Sequence, residues 1–254
     1  MEAISLNIPL KKKFDYAKLV KLIDFQIHIR NKFYFFFFKR LIDICFSLCV
    51  IVFLLAWIVP LLSILIFLDS GGPVFFIQRR VGRFGKSFSC LKFRTMRVND
   101  EANFKQATEN DSRITKLGKF LRKTNLDELP QFFNVLIGDM SIVGPRPHMH
   151  HDCYNFSQII KNYKLRSLIK PGITGLSQIK GYRGPTTTIK SITDRFYWDI
   201  FYIKTASANK DIYIILKTAS QTIRHIGLLL FKNNKFFYHK YHDLEYENNK
   251  NIAA

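Results

Sequence analysis

The feature that most constrains this chain is an apolar run of 28 residues, Leu41 to Leu68, broken by one charge, Asp43. As a straight helix it would be about 42 Å long, against a bilayer hydrocarbon core of about 30 Å. A cleaved signal peptide fits poorly, because 40 residues precede the run and no small-residue cleavage site follows it. Pro60 lies inside the run, where it removes a backbone donor and favours a kink or break. Both flanks are basic: Lys11, Lys12, Lys13, Lys39 and Arg40 before, Arg79, Arg80, Arg83 and Lys86 after. Cytoplasmic flanks are the positively charged ones. Both are cytoplasmic only if the segment enters the membrane, bends near Pro60 and returns. A re-entrant helix-break-helix meets length, proline and charge together, while a bitopic helix with a tolerated proline remains open. Asp43, so near a membrane entry, calls for a cation. Lys39, one helical turn away, is the nearest candidate, unless Asp43 only caps the helix start.

The charge balance points the same way. Lys and Arg number 39 against 19 Asp and Glu, a net charge of +20 that suits an anionic partner: nucleic acid, acidic lipid or a phosphorylated substrate. The run Phe35-Phe36-Phe37-Phe38, leading into the apolar stretch, favours membrane over nucleic acid. The cysteines at 45, 49, 90 and 153 form no CxxC pair, so neither a zinc site nor a disulfide framework is expected.

Four regions follow. Residues 1–38 read as a basic, partly amphipathic lead-in suited to an anionic bilayer surface, and 39–70 as the re-entrant hairpin. Residues 71–231 form one compact unit, and 232–254 an Asn- and Lys-rich polar tail with the composition of disorder. Gly71-Gly72-Pro73 marks the exit turn, and 74–78 and 87–93 read as short strands. Helices are expected at 114–121, 126–137, 154–169, 192–203 and 212–226, the last amphipathic. The expected architecture is therefore a helix-dominated α/β, compact cytoplasmic domain, with an N-terminal re-entrant membrane helix-break-helix and interfacial amphipathic helices.

The segment Arg122-Lys123-Thr124-Asn125-Leu126-Asp127-Glu128-Leu129-Pro130-Gln131 is the most informative for chemistry. Thr124 followed by Asp127 reads as a helix N-cap, and the two acids then only complement the helix dipole. The functional alternative uses Asp127 and Glu128 as an ionised pair in a basic setting. One carboxylate attacks phosphorus to form an acyl phosphate, and the pair holds Mg2+, a hard cation that prefers one or two carboxylates plus substrate phosphate. Lys92, Arg94, Arg113 and Arg146 are the candidate diphosphate-binding cations. Arg is the better fork for phosphate oxygens, and the prolines flanking Arg146 stiffen the backbone that presents it. His148, His150 and His151 invite a metal reading, but the acids needed to complete such a site are not evident.

Taken in order, several segments resemble the bacterial sugar transferase family of monotopic polyprenyl-phosphate phosphoglycosyl transferases. They are Lys39-Arg40-Leu41-Ile42-Asp43, Gly72-Pro73-Val74-Phe75-Phe76, Gln78-Arg79-Arg80-Val81-Gly82 and Lys92-Phe93-Arg94-Thr95-Met96. Leu126-Asp127-Glu128-Leu129-Pro130-Gln131, the stretch from Gly138 to Pro147, and Pro171-Gly172-Ile173-Thr174-Gly175-Leu176 complete the set, over residues 36–226. The resemblance implies that Asp127 is the nucleophile toward the sugar-bearing phosphate of a UDP-sugar, that UMP leaves, and that undecaprenyl phosphate then takes the sugar phosphate. Glu128 would assist with Mg2+ and positioning, with Asp43, Pro60 and Asp199 in supporting roles. The re-entrant hairpin is likewise implied, with the catalytic domain on the cytoplasmic face of the bacterial inner membrane.

The stretch from Gln178 to Gly184, with Asp199-Ile200-Phe201-Tyr202-Ile203 and Asp211, is similar to the exopolysaccharide branch, whose donors carry glucose or galactose. That branch departs from this chain at Thr205–Lys210, where an aromatic, apolar run is usual. The expected partners are thus a UDP-sugar, undecaprenyl phosphate and membrane lipid, not nucleic acid, with a homo-oligomer left open. Two alternatives stay in view: an N-acetylated amino-sugar donor, and a non-enzymatic, membrane-tethered basic protein that binds acidic polymer or acts as an adaptor.

Overall fold

The computed structural model describes residues 29, 31–99, 107–108, 111–184 and 188–230. Most of the expected lead-in, and the expected tail from residue 232, lie outside the described residues.

Phe33–Ser70 is helical throughout and is long and apolar enough to cross a membrane. It comprises α1 (Phe33–Val50), a π-helical segment (Ile51–Leu55) and α2 (Ala56–Ser70). The break expected at Pro60 is not there: α2 runs through it. The irregularity sits one turn earlier, where an i→i+5 segment widens the ladder ahead of the ring that would collide with the Ala56 carbonyl. Phe53, Trp57 and Leu68 are each at least three-quarters exposed (76%, 78% and 75%). A narrower stripe faces the rest of the chain, with Asp43, Ser47, Leu55, Leu62 and Ile66 buried.

The expected strands pair as an antiparallel hairpin, β1 (Phe75–Val81) and β2 (Ser87–Phe93), in register from Phe75 opposite Phe93 to Val81 opposite Ser87. Helix α3 (Lys116–Thr124) is capped by Thr115, whose side chain accepts from the Gly118 N–H. Gly118 is required there, because a Cβ would lie 2.0 Å from the Thr95 carbonyl oxygen. Thr124 does not cap a following helix, as the sequence suggested. It ends α3, its hydroxyl donating back to the Phe120 and Leu121 carbonyls, and Asn125 in the left-handed region turns the chain. A 3₁₀ turn (Leu126–Glu128) and α4 (Gln131–Ile137) follow.

A two-stranded parallel pair, β3 (Ser141–Val143) and β4 (Gly172–Thr174), forms the second sheet. Between them lie α5 (His150–Ile159) and a 3₁₀ turn (Tyr163–Leu168), where one longer helix was expected. The short α6 (Leu176–Ile179) leads to α7 (Ile189–Thr205) and α8 (Ala208–Leu230). The main core gathers Phe88, Cys90, Phe132, Val135, Met140, Val143, Tyr202, Ile203 and Ile214. A second cluster joins Leu62 and Ile66 of α2 to Phe93 and Leu121. All four cysteines are free.

Polar contacts fix the membrane segment to this unit. Lys39 does not pair with Asp43. Its ammonium reaches Asp211 on α8 at 2.6 Å, and Asp211 also accepts from the Tyr202 hydroxyl. Asp43 instead accepts from the Ile142 N–H at 3.0 Å. Arg40 donates to the Val135 and Leu136 carbonyls at the end of α4, at 2.6 and 2.9 Å.

Candidate functional site

Two devices bring the acidic pair to the basic strand. The left-handed Asn125 and the 3₁₀ turn direct residues 127 and 128 inward, leaving Asp127 9% and Glu128 4% exposed. The Asn134 side chain then pins α4 to β2, accepting from the Leu91 N–H and donating to the Ser89 carbonyl. Lys92, next along β2, is thereby held against Glu128.

Glu128 is surrounded by cations. One oxygen, Oε1, accepts from Lys92 Nζ at 2.7 Å and Arg146 Nη2 at 2.7 Å. The other, Oε2, accepts from Arg146 Nη1 at 3.2 Å and Arg183 Nη2 at 3.1 Å. Burial alone would raise this carboxyl, but Arg146, Lys92 and Arg183 outweigh it and hold it well below the usual range. Asp127 differs. Burial raises its carboxyl, with Glu128 adding to the effect against Lys92, Arg122 and Arg146. No described group donates a hydrogen bond to Asp127, although the residue is only 9% exposed.

The loop carrying Arg146 is fixed at five backbone groups. The Gly144 N–H donates to the Thr174 carbonyl, the Gly172 N–H to Pro145, and the Val81 N–H to His148. Arg80 donates to the Pro147 carbonyl at 2.7 Å and Arg166 to the Arg146 carbonyl at 2.7 Å. Arg166 is itself clamped by Asp199, through Nη2 at 2.6 Å and Nε at 3.0 Å, and the Ser177 hydroxyl completes that carboxylate at 2.8 Å. Asp199 thus supports Arg146 at one remove. Its neighbours on α7 hold the loop of Arg183: Arg195 donates to the Gly184 carbonyl at 2.6 Å, and Tyr182 donates to Asp194.

His148 lies behind this loop rather than in a metal cluster. Burial, then the nearby Arg166, Arg195, Arg80 and Arg146, hold it well below the usual histidine range. It is neutral, 2.6 Å from the Tyr163 hydroxyl through Nδ1 and 3.4 Å from Arg195 through Nε2. His150 and His151 turn to Ser87 and Asn155. Among the described residues no group of three His, Cys, Asp or Glu side chains is placed to hold a metal.

Of the four cations named from sequence, Lys92 and Arg146 meet the acidic pair and two do not. Arg113 pairs with Asp111 at 2.6 Å. Arg94 turns to the end of α2, donating to the Ser70 hydroxyl at 2.9 Å and to the Gly71 carbonyl. Arg183 was not singled out. The basic Lys180-Gly181-Tyr182-Arg183-Gly184 turn was the available signal, but its spacing gives no hint that it folds onto residue 128.

The profile described as Bacterial sugar transferase matches residues 34–225. The chain belongs to that family. It is 48% identical over 183 residues, 71% of this chain and 39% of the relative, to a UDP-glucose:undecaprenyl-phosphate glucose-1-phosphate transferase of Klebsiella pneumoniae. A protein of the same description from Xanthomonas campestris pv. campestris is 48% identical over 61% of this chain and 33% of its own length. The exopolysaccharide production protein PSS of Rhizobium leguminosarum bv. phaseoli is 41% identical, over 71% of this chain and 92% of its own. This sugar transferase chain therefore spans a third to two-fifths of the first two relatives and nearly all of the third.

Proposed function

We propose that the chain transfers a hexose 1-phosphate, glucose 1-phosphate by preference, from a UDP-sugar to undecaprenyl phosphate and releases UMP. The observation that carries this reading is the contrast within the acidic pair: Glu128 takes four hydrogen bonds from three cations, while adjacent Asp127 takes none from any described group. A carboxylate so placed serves as a nucleophile beside cations able to bind a diphosphate. An Asp127 oxygen bonds to the sugar-bearing phosphorus, the bond from that phosphorus to the bridging oxygen breaks, and UMP leaves with the electron pair. An oxygen of the lipid phosphate then attacks the same phosphorus, and Asp127 departs as a carboxylate. Lys92, Arg146 and Arg183 take up the charge that develops, with Glu128 fixing their positions.

Mg2+ belongs to the reading through Asp127, a hard oxygen donor that no described group engages. It would share the ion with substrate phosphate, as Mg2+ sites commonly do. The ion would neutralise diphosphate charge. Glu128 fits this task less well than the sequence suggested, because its lone pairs are already taken by Lys92, Arg146 and Arg183.

We place the catalytic unit on the cytoplasmic face of the bacterial inner membrane, with Phe33–Ser70 re-entrant. Support comes from the contacts at its two ends. Lys39, Arg40 and Asp43 bind the same unit that meets Leu62, Ile66, Ser70 and Gly71. A span with its ends on opposite faces of a hydrocarbon core about 30 Å thick would not return both to one domain. The outer face of α8, with Ile212, Tyr213, Leu216 and Ile223 exposed, suits an interfacial helix.

The preference for glucose rests on the UDP-glucose relatives at 48% identity, against 37% for the undecaprenyl-phosphate galactose phosphotransferase of Salmonella typhimurium. An N-acetylgalactosamine donor is the second reading, favoured by an Aeromonas hydrophila relative of that specificity at 40%. The test is UMP release by detergent-solubilised protein given Mg2+, undecaprenyl phosphate and one UDP-sugar at a time. Release with UDP-glucose that Asp127→Asn abolishes is expected. No release with any donor would sink the reading, and release only with an acetamido sugar would reassign the donor.

A further inference from the structure

The guanidinium of Arg94 is not explained by the dyad chemistry. Its residue is only 6% exposed, yet Nε and Nη1 are buried and have no hydrogen-bond partner. Among the described residues only Nη2 donates hydrogen bonds, to Ser70 and the Gly71 carbonyl at the end of the membrane segment, with the Asp69 carboxylate nearby as a charge partner. A buried cation with idle donors is costly, and capping a helix end uses only one of its three nitrogens. The neighbouring backbone closes over one idle donor. A Cβ on Gly72 would lie 2.9 Å from Nη1, so only glycine lets the chain pass this close to the guanidinium. The nearest other side chain there is Val98, itself 72% exposed.

The position is as telling as the vacant donors. The Arg94 N–H continues the β1–β2 ladder by donating to the Val74 carbonyl at 2.8 Å. Lys92 and Arg94 are thus two residues apart along extended chain, on one side of the pleat, about 7 Å from each other. Lys92 grips Glu128 at the donor end, and Arg94 stands where α2 leaves the membrane. An anion bound at Arg94 would therefore lie between bilayer and dyad.

We propose that Arg94 binds the phosphate of the polyprenyl phosphate acceptor, in a subsite separate from the Lys92, Arg146 and Arg183 cluster that takes the donor diphosphate. The assignment rests on the transferase reading above and divides its cations between two substrates. On binding, Nε and Nη1, buried in this structure, turn to the lipid phosphate, while Nη2 keeps the end of α2 in place. The isoprenoid chain then runs along the exposed apolar side of α2, toward Leu65 and Leu68.

The experiment compares the full chain with Arg94→Gln, which can still donate to Gly71, and with Arg94→Lys, which keeps the charge. Phospho-sugar adduct formation without lipid is measured by intact mass, and the KM for undecaprenyl phosphate by UMP release in mixed micelles. Loss of one guanidinium–phosphate contact predicts an acceptor KM raised about tenfold to a hundredfold in Arg94→Gln. Arg94→Lys is expected to be intermediate, and donor KM and adduct rate to stay within about twofold in both. An unchanged acceptor KM, or equal losses toward donor and acceptor, would overturn the assignment. So would competitive inhibition by excess phosphatidylglycerol that Arg94→Gln relieves, since the subsite would then serve bilayer headgroups generally. Absence of both adduct and UMP release in the parent protein would instead refute the transferase reading itself.

Discussion

Asp199→Asn probes how the site is held rather than how it reacts. Asp199 is 2% exposed and accepts three hydrogen bonds, two from Arg166 and one from Ser177. The amide keeps the shape and removes the charge, leaving Arg166, 5% exposed, without its counter-ion. Removing one partner of a buried ion pair costs about 3–5 kcal/mol. In a domain of this size each kcal/mol lowers Tm by about 2–4 °C, so a fall of about 10 °C is expected. Arg166 also donates to the Arg146 carbonyl, so turnover at 15 °C, where the variant is still folded, is expected to fall as well. Intrinsic fluorescence melting in detergent and UMP release at 15 °C provide the two readouts. Replacing the pair together, Arg166→Met with Asp199→Leu, is expected to recover much of the stability but not the turnover. A Tm within 2 °C of the parent in Asp199→Asn would refute the buried clamp.

Three further outcomes are expected. Below the ordinary value of 6.5 the unfolded chain protonates His148 while the folded state, with its depressed His148, does not, so stability present above 6.5 is lost as pH falls below it. Tm is expected to drop between pH 7 and pH 5, and His148→Gln to flatten that slope; equal slopes in the two proteins would exclude His148. Arg183→Gln removes the most exposed of the three cations at Glu128, and a donor KM raised about fivefold with little loss of Tm is expected, whereas unchanged kinetics would remove Arg183 from the site. Asp43→Ala leaves the Ile142 N–H without its acceptor at a cost of about 1–3 kcal/mol, and Asp43→Asn restores it; melting curves that do not separate these variants would exclude that contact.

Local signals in the sequence located the apolar segment, both strands of the hairpin, the acidic pair and two of its cations, because periodicity and motif spacing act over a few residues. What it did not show depends on distant packing. Lys39 sits one turn from Asp43, yet it pairs with Asp211 across the fold while Asp43 accepts from the backbone of β3. Thr124 precedes two acids at capping distance, yet the left-handed Asn125 ends one helix there and a 3₁₀ turn begins. Arg94 and Arg113 belong to phosphate-like basic runs, and only tertiary placement separates them from Lys92 and Arg146. Arg183 reaches Glu128 from 55 positions away, carried by a loop whose anchors, Asp194 and Arg195, lie on a later helix.

Asp127 is the residue proposed to carry the sugar phosphate covalently. Intact-mass measurement of the detergent-solubilised protein, incubated with Mg2+ and UDP-glucose without lipid, tests it most directly. A mass gain of one hexose phosphate is expected, mapping to Asp127, absent in Asp127→Asn and discharged on adding undecaprenyl phosphate. Lipid-dependent UMP release at full rate with no adduct on the parent protein under rapid quenching, or an adduct that persists in Asp127→Asn, would contradict the account.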